Sequence, residues 1–344
     1  MNKFLILLGG LFALMFAGCN SDGPEDDLID TLEKEKIAIH QYLSTISSPI
    51  LYIEYYSVHG QLIDTLYIFN YDNSGEVAKD TGWVLMDYEK YFLQGDKLDT
   101  TDPQLADTAV TYALGGPILY RLDTVRKYDY LAEAFRHISV GDIGGEVLIP
   151  SILAGGNYGK PLHYKLKSRK LIDDVKENEA ELIQGYINLV LSGKELFMDS
   201  PTGEPASVSG KDTVTYTALV EKGTGDRKIQ TGDSVLLEFS TALLREKGGL
   251  QLEIARFSQD SVKILFNDTW QRRNSSGLVK GIQRLQEGDS AHIIVPYGMA
   301  YGGTGTTRDI AVNGTKQKQY LIPPLATLLY EVRIRKVVAP KTEE

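Results

Sequence analysis

Gly277-Leu278-Val279-Lys280-Gly281-Ile282-Gln283-Arg284-Leu285-Gln286-Glu287-Gly288-Asp289, followed by Ile293-Ile294-Val295-Pro296, decides the fold class. Leu278, Ile282 and Leu285 fall on one face of a helix, because residues four and seven apart stack along it. Gly288-Asp289 reads as a turn, and the apolar run after it as a strand. Further on, Val332-Arg333-Ile334-Arg335 alternates apolar and polar residues, the period of a strand with one buried and one wet face. Strands joined by Gly-Asp and Gly-Gly turns predict an antiparallel sheet with the short helix laid across its inner face, an α+β unit.

Working outward, the same order of signals occurs upstream. Asp64-Thr65-Leu66-Tyr67, the strand-like Trp83–Tyr88, and Val140-Gly141-Asp142 before Val147-Leu148-Ile149-Pro150 parallel Asp212–Tyr216, Val235–Phe239 and Glu287–Pro296. Each series closes on a similar strand, Leu162–Lys170 and Leu329–Lys336, with Tyr164 and Tyr330 in register. An amphipathic helix precedes each, over Leu28–Leu43 and about Leu171–Phe197, and Asp199–Pro205 is turn-forming punctuation. These signals predict two tandem α+β domains: 28–170, a helix and linker over 171–205, the second domain over 206–338, and a tail over 339–344.

At 344 residues and 42% hydrophobic content the chain has room for two cores. A net charge of -10 without a cluster of Lys and Arg excludes the phosphate neutralisation that nucleic-acid binding needs. Residues 1–18, with Lys3 and an apolar run Phe4–Ala17, read as a signal peptide, too short for a comfortable membrane span. Phe16-Ala17-Gly18-Cys19 resembles a lipobox, which implies a lipid anchor on Cys19 and leaves no thiol for a disulfide, a metal or a nucleophile, since Cys19 is the only cysteine. The acidic stretch 19–27 is expected to be a tether. It also resembles the export signal of surface-exposed Bacteroidetes lipoproteins; a periplasmic leash is the other reading.

The helix segment above, the Ala300-Tyr301-Gly302 segment and Leu321-Ile322-Pro323-Pro324-Leu325-Ala326-Thr327-Leu328 occur in the order that characterises the FKBP family of prolyl isomerases. The resemblance spans roughly 214–337 and implies two FKBP-like units, the first degenerate. It implies a pocket lined by Phe239, Leu278, Tyr301, Ile322 and Tyr330, flanked by Leu321 and Pro323. Tyr301 would offer its hydroxyl to one substrate carbonyl and the Ile322 N–H would hold another, while Phe239 and Tyr330 pack on the prolyl ring. Such catalysis needs no cofactor or metal. Leu278 and Asn274-Ser275-Ser276 depart from the family pattern, Leu252-Glu253 and Phe257-Ser258 are alternative occupants of its early acidic position, and the loop Thr304–Tyr320 is long. In the first unit Tyr88 and Gly95–Thr101 resemble the family, whereas Ala154 replaces the tyrosine and Gly155–Lys160 is too short for the proline-rich rim.

The five histidines are scattered without ligand spacing, Gly302-Gly303-Thr304-Gly305 lacks the residues of a phosphate loop, and Asp173-Asp174 reads as a solvated helix face. Two functions fit: an outer-membrane lipoprotein that isomerises X-Pro bonds in exported, proline-containing polypeptides, or a non-catalytic FKBP-like lipoprotein that binds a partner in an outer-membrane assembly.

Overall fold

The computed structural model describes residues 24–72, 74–93, 95–102, 104, 110–122, 129–141, 143–155, 159–200, 214–246, 252–312 and 315–340. Cys19 and the signal segment lie outside them. In chain order the elements are α1 (Pro24–Thr45), β1 (Ile50–Tyr56), β2 (Leu62–Asn70), β3 (Gly82–Phe92), β4 (Lys97–Thr100), β5 (Ile118–Leu122), α2 (Tyr130–Phe135), β6 (Gly145–Ile149) and β7 (Leu162–Ile172). There follow α3 (Val175–Val190), β8 (Glu195–Asp199), β9 (Thr215–Glu221), β10 (Ser234–Glu246), β11 (Leu252–Leu265), α4 (Asp268–Arg273), α5 (Ser276–Gln283) and β12 (Ser290–Val295). A 3-10 turn (Tyr297–Met299), the hairpin β13 (Thr306–Val312) and β14 (Thr315–Ile322), and β15 (Thr327–Val338) complete the chain.

Two antiparallel sheets result. The first runs β1-β2-β6-β7-β3-β4, with β5 also on β3; the second runs β8-β9-β12-β15-β10-β11. With β6 set beside β12 and β7 beside β15, the two orders coincide. The registers coincide too: Tyr164 faces Val147 on one side and Lys90 on the other, as Tyr330 faces Ile293 and Thr241. Even the irregularity in the long central strands recurs, between Leu85 and Met86 in β3 and between Leu236 and Leu237 in β10. A bulge adds local twist, so both sheets curl at the same place.

The concave faces close over short helices. In the first unit Ala132, Ala134 and Phe135 of α2 pack among Leu66, Val84, Met86 and Val147. In the second, Leu278, Val279 and Ile282 of α5 and the following Leu285 pack on Val235, Leu237, Ile293 and Val332. Burying each such side chain stabilises the fold by about 1.5–3 kcal/mol. Close approach comes from Gly277 and Gly281, where a Cβ would sit 2.4 Å from Val295 and 2.5 Å from Ile293.

Several sequence expectations need correction. The wet outer faces are in part covered: Ile39 of α1 seals Phe69 and Leu148, and Ile183 and Tyr186 of α3 seal Ala242, Leu244, Ile294 and Leu329. Alternation within one strand such as Val332–Arg335 does not report what a helix distant in sequence lays over the rest of the sheet. The tether ends early, because Pro24 opens α1, a first-turn position where its missing N–H costs nothing. The helix expected to reach Phe197 stops at Val190, and Glu195–Asp199 is β8, paired along β9; the second unit therefore begins before residue 206. Asp173 and Asp174 are exposed, as expected, and Asp174 is the N-cap of α3, accepting the Lys176 and Glu177 N–H groups. The supposed loop Thr304–Tyr320 is largely the β13–β14 hairpin.

Candidate active site

The seven residues singled out in the sequence all lie on or beside the concave side of the second sheet. Leu278, Ile322 and Tyr330 belong to its buried core, at 5%, 7% and 4% exposure, and Phe239 and Tyr301 are half-buried against it. The five therefore share one apolar cluster, three of them buried within it and two aromatic rings half-buried at its surface. Leu321 is exposed at the rim and Pro323 is half-buried.

Each side chain is held by its own local chemistry. Phe239 points inward because Val235, Leu237 and Leu243 on the same strand do, at the strand period of two. Leu278 is placed by Ser275, whose Oγ accepts the Leu278 N–H at 3.3 Å as the N-cap of α5. Tyr301 sits in a turn braced on both sides: Ser276 donates to the Met299 carbonyl at 3.2 Å, Gly302 to Tyr297 at 2.8 Å, and Gly305 to Tyr301 at 3.2 Å. Leu325 takes the left-handed conformation, φ 61°, and its N–H donates to the Gly302 carbonyl at 3.0 Å. A leucine there costs on the order of 1 kcal/mol or more, so the proline-rich rim is held against backbone preference.

Burial above all raises the Tyr330 phenol beyond its ordinary value; the neighbouring Ser275 hydroxyl opposes this and Tyr301 adds to it. Ile322 ends β14, in register with Thr306, so its backbone is part of a ladder. Of the alternatives for the early acidic position, Leu252 packs on the outer, α3-covered face and Glu253 accepts from Arg245 at 2.7 Å, which removes that pair from the cluster.

A glutamate that sequence reasoning missed closes the base of the rim. Glu179 on α3 accepts the Tyr297 N–H at 2.7 Å and the Thr327 hydroxyl at 2.6 Å, and so joins the two ends of the segment that carries Tyr301, Ile322 and Pro323. Burial raises its carboxyl pKa, against these two bonds. Glu35 on α1 does the same in the first unit, accepting from Ser151 and, at 3.0 Å, from the Gly159 N–H. Neither stands out in the sequence, because Glu33 neighbours the one and Glu177 and Glu181 flank the other.

Such an arrangement can hold an apolar ring against aromatic side chains and present hydroxyl donors to a carbonyl. Among the described residues no group of three His, Cys, Asp or Glu converges as metal ligands.

Residues 225–335, about a third of the chain, match the family described as FKBP-type peptidyl-prolyl cis-trans isomerase. No curated protein matches the sequence. Among solved structures, the three FKBP domains of wheat FKBP73 are 13% identical over 80% of this chain and 95% of that one, at a TM-score of 0.29. FkpA from Escherichia coli is 19% identical over 48% of this chain and 64% of that one, at 0.30. A peptidyl-prolyl cis-trans isomerase from Pseudomonas syringae pv. tomato is 18% identical over 47% and 92%, at 0.30. The match over residues 225–335 identifies an FKBP-type peptidyl-prolyl cis-trans isomerase domain within the C-terminal unit.

Proposed function

We propose that the chain is an exported lipoprotein, anchored at the outer membrane through Cys19, whose second unit isomerises X-Pro bonds in proline-containing polypeptides and whose first unit is non-catalytic. The observation that carries the enzymatic part is the convergence of Phe239, Leu278, Tyr301, Ile322 and Tyr330 on one hollow within the matched segment. Rotation about an X-Pro amide crosses a barrier of about 18–20 kcal/mol because resonance must be given up. The twisted transition state carries less charge separation than the planar amide. A water-poor aromatic hollow therefore favours it over the ground state, with no bond made to the protein. Phe239 and Tyr330 would hold the prolyl ring and Tyr301 the neighbouring carbonyl.

The anchoring reading rests on the lipobox-like Ala17-Gly18-Cys19 and on the acidic segment behind it. Radiolabelled palmitate incorporation that is lost in Cys19→Ala tests it. A protease-coupled assay with a prolyl peptide tests the isomerase: activity in the wild type that falls in Tyr301→Phe supports it, and a wild type as inert as the variant overturns it. Leu278 and Ser275, which depart from the family pattern, favour a second reading, a polypeptide-binding module without turnover. Saturable peptide binding by an inert wild type would select that reading.

A further inference from the structure

We infer that the segment 110–116 of the first unit is a positioning element for the second unit's site: through Tyr112 it fixes Tyr320, and with it the Leu321–Pro323 rim. The functional consequence rests on the isomerase reading; the bracing itself does not.

The segment is anchored in the first unit. Asp99, 5% exposed, accepts the N–H groups of Val110 at 2.7 Å and Thr111 at 3.3 Å, the Thr111 hydroxyl, and the Tyr88 hydroxyl at 2.7 Å. At the other end the Gly116 N–H donates to the Thr101 carbonyl. Between these anchors the chain leaves its own domain. The Tyr320 N–H donates to the Thr111 carbonyl at 2.8 Å, the Ala113 N–H donates to the Tyr320 carbonyl at 2.9 Å, and the Tyr112 and Tyr320 rings stack at 5.4 Å and 20°. Leu114 packs against the second core, and Arg245 of β10 donates to the Gly115 carbonyl at 2.5 Å. Gly116 takes a φ of 87°, in the left-handed region that favours glycine, and the Arg245 guanidinium lies over it.

What this contact supplies is a third strand. β13 and β14 form a sheet of two strands only, and such a hairpin is marginal by itself in water. Its C-terminal end, Tyr320-Leu321-Ile322, is the edge of the hollow. The parallel bridge between Tyr112 and Tyr320 borrows the first unit's rigidity for that edge, so a bound peptide need not order it.

The test uses the full chain, its Tyr112→Ala and Tyr112→Phe variants, and hydrogen exchange over residues 318–322 alongside steady-state kinetics on a prolyl peptide. With the ring removed, exchange there quickens about tenfold or more while the first core keeps its protection. KM rises about threefold or more with kcat within about twofold, and Tyr112→Phe restores both, since the stack needs the ring and not the hydroxyl. Unchanged exchange in Tyr112→Ala overturns the bracing. Faster exchange with unchanged KM in an active enzyme overturns the positioning role. A wild type without activity but with the same exchange response counts against the isomerase and leaves the bracing supported. Should Tyr112→Ala unfold, Asp99→Asn, which keeps the volume and weakens the anchor, reads the same exchange in the same direction.

Discussion

In the first unit Tyr88 lies on the concave side of the sheet, its hydroxyl bound to Asp99, and the remaining lone pairs of that carboxylate are taken by Val110 and Thr111 of the same chain. In the second unit Phe239 holds the matching strand position and packs, with Tyr301, against the cluster that contains Ile322 and Tyr330. Sheet order, register and bulge are shared, so the scaffold does not distinguish the two. The difference lies in where the long connection falls. The first unit spends it between β4 and β5, where residues 110–116 bond to Asp99 and reach across to Tyr320; the second spends it between β12 and β15, where it carries Tyr301, Ile322 and Pro323. Function resides in what a fold carries in its connections.

The comparison can be broken at its shared supports. Glu35→Ala leaves the donors of Ser151 and Gly159 unpaired in a buried place, and Glu179→Ala leaves those of Tyr297 and Thr327. Each is expected to cost roughly 2–4 kcal/mol in urea unfolding, with Glu35 the more costly for its three donors. Tolerance of one change and not the other would mean the two glutamates are not structural equivalents. Next in size is Gly281→Ala, whose Cβ would meet Ile293 at 2.5 Å; overpacking of this kind costs about 1–3 kcal/mol and is read as a lowered melting temperature.

The contrast between the hollows is sharpened by paired hydroxyl removals. Tyr301→Phe is expected to lower kcat/KM roughly tenfold, about 1.4 kcal/mol of transition-state stabilisation, whereas Tyr164→Phe in the first unit leaves it within about twofold. A similar loss from both would show that the first hollow takes part in the chemistry.

The smallest effect is a pH dependence confined to the first unit. Burial tends to raise the Glu146 carboxyl, but hydrogen bonds from His163 and Tyr42 outweigh it and hold the pKa at about 2, against an ordinary 4.5. A depressed carboxyl contributes stability that is complete above about pH 4.5 and drains away as the pH falls toward 2. Unfolding free energies of wild type and Glu146→Gln should therefore converge over that window on acidification. Parallel curves would contradict it.

Much of the second unit was legible as a string. The i, i+4, i+7 spacing of Leu278, Ile282 and Leu285 placed a helix on a sheet, and the alternating closing strands set Tyr164 and Tyr330 at matching nodes, because side-chain period is a local property of the backbone. β8 escaped because five residues after a helix carry too little period to separate strand from helix end. The glutamates at 35 and 179 escaped because a buried acid on an amphipathic helix has the same spelling as a solvated one, and its partners lie 116 or more residues away.

By itself, then, the chain's order of residues determined the kind of elements, their repetition and the set of side chains that could line a prolyl-sized hollow. Tertiary structure alone decided that a buried Asp99 gathers the segment after β4 in the first unit, and how a tyrosine of the first unit comes to rest on Tyr320 of the second. The last depends on contacts between segments some two hundred residues apart, such as Tyr112 with Tyr320, whose energies appear only when the two surfaces meet.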